Sequence, residues 1–142
     1  MLNPIAFWDA SALVPLCTTQ PETSQALCLY QGNRVAVWWA TPIEIISALT
    51  RLRREGAIRA QDYADGALQA ELLASFWRTI TPTGSILADA RILLERFPLR
   101  AADAMQLAAA LRWCGGNPDG RVFISFDKRL RSSAHQAGFT VA

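Results

Sequence analysis

Apolar positions along the chain follow two rhythms: short unbroken runs, and stripes recurring every three or four residues. Ile5-Ala6-Phe7-Trp8 is an unbroken run that stops at Asp9, and it predicts a buried strand. Arg34 to Trp39, β-branched and aromatic, predicts a second, and Val122 to Phe126 a third. Arg78 to Thr81 and Phe139-Thr140-Val141 predict shorter ones. Helical spacing fills the intervals. A helix is expected from about Ser11, with Pro15 tolerable only near its first turn. Pro21-Glu22 opens another, running to about Gln31. In the next, Thr41 is the expected N-cap and Pro42 the first helical residue. That helix reaches about Glu55, and Gly56 stops it. Ile45, Ile46, Leu49 and Leu52 form its buried stripe, while Glu44, Ala48, Arg51 and Glu55 share a different face. Further helices are expected over about Ala60–Trp77, Ser85–Arg96 and Lys128–Ala137. Ala102–Trp113 is apolar on almost every side and predicts a helix buried against a sheet. Strands alternating with helices predict an α/β fold, an α/β/α sandwich around a mainly parallel sheet.

A chain of 142 residues with 51% apolar content fits one domain spanning 1–142, and no repeat or linker interrupts it. The formal net charge of +2 argues against a strongly basic nucleic-acid coat. Thirteen of the fourteen basic residues are arginine, which suits phosphate recognition and equally reflects a GC-rich genome. Cys17, Cys28 and Cys114 have no CxxC spacing or nearby histidine, so reduced thiols in a cytoplasmic protein are expected. Neither a signal peptide nor an apolar run long enough to span a bilayer is read in the sequence.

Four carboxylates stand out because few charges border the buried segments. Asp9 follows the first strand and Asp127 the strand over Val122–Phe126. Glu44 lies in the first turn after the second strand, and Asp103 opens the apolar helix. Each has a structural alternative. Asp9 and Asp127 can cap helices, Glu44 can complement a helix dipole, and Asp103 can pair with Arg100. Taken together they fall at one edge, because open parallel sheets bind ligands at the carboxyl ends of their strands. Converging carboxylates repel unless a cation lies among them, and an oxygen-only set suits Mg²⁺ or Mn²⁺. His135 is the only histidine, which disfavours a Ser–His–Asp triad or a zinc hydrolase.

The same segments carry a family resemblance. Phe7-Trp8-Asp9-Ala10-Ser11-Ala12-Leu13-Val14-Pro15-Leu16 resembles the opening of a PIN domain, in particular the VapC-type ribonuclease toxins of toxin–antitoxin pairs. Pro42–Leu49 around Glu44, Leu99–Ala108 around Asp103 and Val122–Leu130 around Asp127 resemble the family's second, third and fourth motifs. They fall in order and span essentially the whole chain. The resemblance implies a PIN fold and a divalent-metal-dependent endoribonuclease with Asp9, Glu44, Asp103 and Asp127 as catalytic metal ligands. It implies that Ser11 supports the site by hydrogen bonding. Ser125 matches a hydroxyl position before the last aspartate, and reads equally as a strand residue. It further implies an RNA substrate, a cognate antitoxin that blocks the site, and a homodimer.

Arg51, Arg53, Arg54, Arg129 and Arg131 follow two of the acids and are candidates to hold RNA phosphates, or else form a solvated face. Trp38, Trp39, Phe76 and Trp77 are core candidates, and any left exposed would suit an antitoxin helix or a dimer surface. A non-catalytic PIN-fold RNA-binding or adaptor module would lack the acids. A receiver-type phosphotransfer domain would need an acidic pair after the first strand, where only Asp9 stands. Nothing in the residues separates RNA from DNA as substrate.

Overall fold

Every central strand is covered on both faces, which is why its sequence reads as a continuous apolar run. The computed structural model describes residues 2–142. Its elements are β1 (Ile5–Trp8), α1 (Ala10–Cys17), α2 (Thr23–Gly32), β2 (Arg34–Trp38), α3 (Thr41–Arg54) and α4 (Ala60–Ala74). They continue with β3 (Arg78–Ile80), α5 (Gly84–Arg96), α6 (Ala101–Trp113), β4 (Val122–Ile124), α7 (Lys128–Ala137) and β5 (Thr140–Val141). The strands form one sheet in the order β3-β2-β1-β4-β5, and every pairing is parallel.

Side-chain alternation along the strands divides the core in two. Phe7, Ala36, Trp38 and Phe123 point to one face, against Ile86, Ala90 and Leu93 of α5, Ala104, Leu107 and Ala108 of α6, and Leu130 of α7. Ala6, Trp8, Val35, Val37 and Ile124 point to the other, against Leu13 of α1, Ile45 and Leu49 of α3 and Ala70 of α4. The result is the expected α/β/α sandwich. The chain winds outward from β1 to β2 and β3, then crosses to β4 and β5 on the other side. The order therefore reverses between β1 and β4, and the connections leaving their carboxyl ends run in opposite directions, which opens a crevice above the two strands.

Several boundaries differ from expectation. The N-cap of α3 is Ala40, and Thr41 lies inside the helix, fully buried, with its hydroxyl facing α6 rather than a free amide. Helix α4 ends at Ala74, because Phe76 and Trp77 form a turn that delivers the chain to β3. Pro15 sits within α1 rather than in its first turn. Lacking an N–H, it leaves the Ser11 carbonyl without its helical donor, and the helix ends two residues later. Strand β4 ends at Ile124, two residues short of Phe126, since the Phe126 N–H turns aside to a side chain. Trp38 is core, Trp77 is partly buried, and Trp39 and Phe76 remain exposed. All three cysteines are free thiols. Among the described residues no helix is long and apolar enough to cross a membrane.

Candidate active site

Asp9 leaves the end of β1 and its own N–H bonds to the Ile124 carbonyl of β4, at 2.9 Å. Its side chain does two things at once. As the N-cap of α1, Oδ2 accepts the Ser11 amide at 3.4 Å. The same oxygen accepts the Ser11 hydroxyl at 2.6 Å and the Ser125 hydroxyl at 2.9 Å. A hydroxyl has one proton to donate, and both are directed at Asp9. The 3.2 Å approach of the two serine oxygens is therefore a contact and not a third bond. Each serine oxygen then accepts from the next turn: Ser11 from Phe126 N–H at 2.9 Å, Ser125 from Asp127 N–H at 3.1 Å. The two hydroxyls thus stitch the segment after β4 to the carboxylate after β1, and this stitching ends β4 early.

Asp127 caps α7, accepting the Leu130 amide at 2.8 Å, and remains exposed. Glu44, half-buried in the first turn of α3, has Oε2 3.0 Å from Gln106 Nε2. Asp103 is half-buried in the first turn of α6. Among the described residues it makes no ion pair with Arg100 within 4 Å, although the Arg100 backbone amide and, more weakly, its guanidinium both favour the charged carboxylate.

The four carboxylates line one cavity of about 280 Å³, joined by Ser11, Ser47, Ala48 and Arg51. For Asp9, Glu44 and Asp103 burial is the main cost of carrying charge. It raises the Asp9 pKa, with the serine hydrogen bonds pulling the other way and the charge of Asp127 adding to the rise. It pushes Glu44 up to about 7, against the Gln106 hydrogen bond and reinforced by Asp9 and Asp103. It raises Asp103, with repulsion from Asp127 and Asp9 in addition. The acids are therefore close enough to feel one another, across helices and strand ends distant in sequence. Among the described residues no three acidic, histidine or cysteine side chains already close around a point as in a filled metal centre. Mutual repulsion of uncompensated carboxylates favours such spacing. The donor set is all oxygen, which fits a hard cation.

Of the candidate arginines, Arg51 lines the acidic cavity, and Arg51 and Arg129 line a larger cavity of about 680 Å³ beside it. Arg53 points away and lies over the Tyr63 ring, and Arg54 is exposed and lines neither cavity. Arg131 donates to the Ser125 and Ala142 carbonyls, holding the end of β5 to the turn after β4. The structure adds residues that the sequence reading did not name as phosphate or positioning candidates. Arg100 and Lys128 join Arg51 and Arg129 around the larger cavity. Gln106 is fully buried at the heart of the site. A lone amide among the apolar residues between Asp103 and Arg112 was its available signal.

Removing one serine tests the stitching. Ser125→Ala deprives Asp9 of a donor and strands the Asp127 amide. Cleavage is expected to fall about tenfold and stability by about 1–2 kcal/mol, in line with an unsatisfied buried group. Single-turnover cleavage and thermal melts check this; unchanged cleavage would leave Ser125 as an ordinary strand-end residue.

A parallel α/β/α sandwich with four carboxylates at its switch point is the arrangement that the PIN-type resemblance leads one to expect. No family model matches the chain. Two ribonucleases of Mycobacterium tuberculosis, VapC45 of strain CDC 1551 and VapC49 of strain H37Rv, are each 35% identical over 144 residues, covering 98% of this chain and 95% of theirs. The chain belongs to the VapC ribonuclease family. Solved structures share the fold at lower identity. Mycobacterium tuberculosis VapC20, a sarcin–ricin-loop-cleaving toxin, has TM-score 0.66 at 20% identity over 95% of this chain and 96% of that one. PAE2754 of Pyrobaculum aerophilum has TM-score 0.64 at 20% identity, over 97% and 89%. A toxin–antitoxin complex from Klebsiella pneumoniae has TM-score 0.59 at 18% identity, over 87% and 88%.

Proposed function

We propose that this chain is a divalent-metal-dependent endoribonuclease, the toxin of a toxin–antitoxin pair, acting as one domain over residues 1–142 in the cytoplasm. The observation that carries this reading is the gathering of Asp9, Glu44, Asp103 and Asp127 around one cavity at the β1–β4 switch point. These residues would hold Mg²⁺ or Mn²⁺. When bound, the cation would supply an acidified water and neutralise charge developing on the phosphate. The chain's own contribution is positioning. Ser11 and Ser125 hold Asp9 through the Oδ2 oxygen, and Gln106 holds Glu44 through Oε2. Arg51 and Arg129, on the wall facing solvent, suit the phosphates flanking the scissile bond.

In this reading the nucleophile would be a water acidified by the cation, and no covalent intermediate is needed. Products of a mixed RNA pool should accordingly end in free hydroxyl and phosphomonoester groups. Cyclic 2′,3′-phosphate ends would contradict the water mechanism. Arg51→Ala is expected to weaken RNA binding several-fold and to flatten its salt dependence by about one phosphate contact. Filter binding of catalytically inactive protein across a salt series reads both, and an unchanged slope would leave Arg51 outside the interface.

The antitoxin partner is supported by family membership, and one protein of the same fold is a toxin–antitoxin complex. Trp39 and Phe76, 58% and 82% exposed, are free to meet such a partner or a second copy in a homodimer.

A further inference from the structure

Gln106 is the fully buried polar residue of α6, and the mechanism above does not require it as a ligand. Its side chain is fully buried between α6 and the start of α3. Nε2 donates one proton to Glu44 Oε2 at 3.0 Å and the other to Thr41 Oγ1 at 3.2 Å, itself fully buried. Both amide protons are thus used, and both go to the first turn of α3. The opposite end of the amide is unsatisfied: Oε1 is buried without a hydrogen-bond partner. Among the described residues the other buried side-chain atoms in this condition are indole nitrogens, of Trp8, Trp38 and Trp77, so Oε1 is the unpartnered acceptor. A buried amide with an orphaned oxygen destabilises the fold relative to an apolar side chain of the same volume. Every other buried position of α6 is apolar: Ala104, Leu107, Ala108, Ala109 and Ala110. The amide is therefore a local sacrifice of stability, and its two donors identify what it serves.

We propose that Gln106 is a positioning residue that fixes the Glu44 carboxylate for cation binding, with Thr41 as the second anchor that sets the plane of the amide. Gln106 engages Oε2 and leaves Oε1 of Glu44 as the oxygen available to the cavity. Among the described residues the Gln106 amide is the one hydrogen-bond donor that holds this carboxylate. This rests on the metal-nuclease reading and deepens it, since it assigns to α6 a second role beside carrying Asp103.

The test is Mn²⁺ binding by calorimetry to the whole protein, in a cycle of Gln106→Met, Glu44→Gln and the double variant. Methionine keeps the length and volume and removes the amide. The expected result is Mn²⁺ affinity lowered about 10–100-fold in Gln106→Met, as for other groups that orient a metal ligand. Melting temperature should be equal or higher in EDTA, and the double variant should bind no more weakly than Glu44→Gln alone. The Mn²⁺ electron paramagnetic resonance signal of Gln106→Met should also differ from that of the unaltered protein. Undiminished affinity in Gln106→Met, or an equal further loss when Glu44 is already Gln, would overturn the assignment while leaving the metal site intact. Failure of the unaltered protein to bind Mn²⁺ would overturn the metal reading and this inference together. Should Gln106→Met not fold, Thr41→Val, which frees the amide plane without touching α6, carries the same expectation with a smaller loss.

Discussion

Asp9→Asn is expected to lower RNA cleavage by at least about 10²-fold while leaving the protein as stable as before, or more stable, at neutral pH. The first half follows from placement. Asp9 is the most buried of the four acids, at 5% exposure, and it is the hub to which the turn after β4 is tied. Losing its charge removes one ligand from a set of four and weakens the hold on any cation, an electrostatic contribution of the size usually seen when a key charged group is deleted. The second half follows from burial. Desolvation raises the Asp9 pKa in spite of two hydroxyl donors, so the ionised form is disfavoured in the folded, metal-free protein. An amide of the same shape keeps an oxygen for Ser11 and Ser125 and carries no charge. Activity and stability should therefore move in opposite directions, which a substitution that merely damages the fold cannot reproduce. Cleavage assays beside thermal melts in EDTA check both. Loss of stability together with activity would reduce Asp9 to a structural N-cap.

The second large effect concerns pH in the absence of metal. Glu44 ordinarily ionises near 4.5 and in the folded protein is pushed up to about 7. Between those values the folded protein binds more protons than the unfolded chain, so stability falls as pH rises. The contribution is fully present below about 4.5 and is lost as pH passes through about 7. Raised values at Asp9 and Asp103 act in the same direction. The Glu44 shift alone corresponds to roughly 3 kcal/mol, and its partial exposure reduces this to about 1–2 kcal/mol. A protein of this size should then melt roughly 3–8 °C lower at pH 8 than at pH 5 in EDTA. Saturating Mn²⁺ should remove most of that difference, and its binding should release protons. Calorimetric melts over this pH range test the sign. A melting temperature that rises with pH in EDTA would mean that the carboxylates are stabilised by partners within the protein rather than awaiting a cation.

The legible part of this site lies where one residue decides the outcome. Asp9 and Asp127 could be found because each closes an apolar strand run, and strand ends on a parallel sheet share an edge. Glu44 and Asp103 were legible as first-turn acids of helices whose periodicity is clear. What was not legible depends on how separate segments meet. Thr41 reads as an N-cap from its neighbours, yet it is drawn inward by Gln106, sixty-five residues later. Phe126 reads as strand, yet its amide is taken by Ser11 from across the sheet. Arg53 and Arg54 read like Arg51, and only the helical turn separates the arginine that faces the acids from the two that do not. Gln106 was hidden for the opposite reason: a helix that is apolar almost all round draws attention to its bulk and away from its one buried amide. Arg100 reads in sequence as a partner for Asp103 and Lys128 as a neighbour of Asp127, and both become candidates for phosphate only where the starts of α6 and α7 converge on one cavity.

The most direct measurement is cleavage of a mixed RNA pool by purified, antitoxin-free protein with Mg²⁺ or Mn²⁺, against EDTA and against Asp103→Asn. The account predicts cutting that requires the cation and that the variant loses while remaining folded. Cutting that persists in EDTA, or in the folded variant with metal present, would contradict a nuclease built on these four acids.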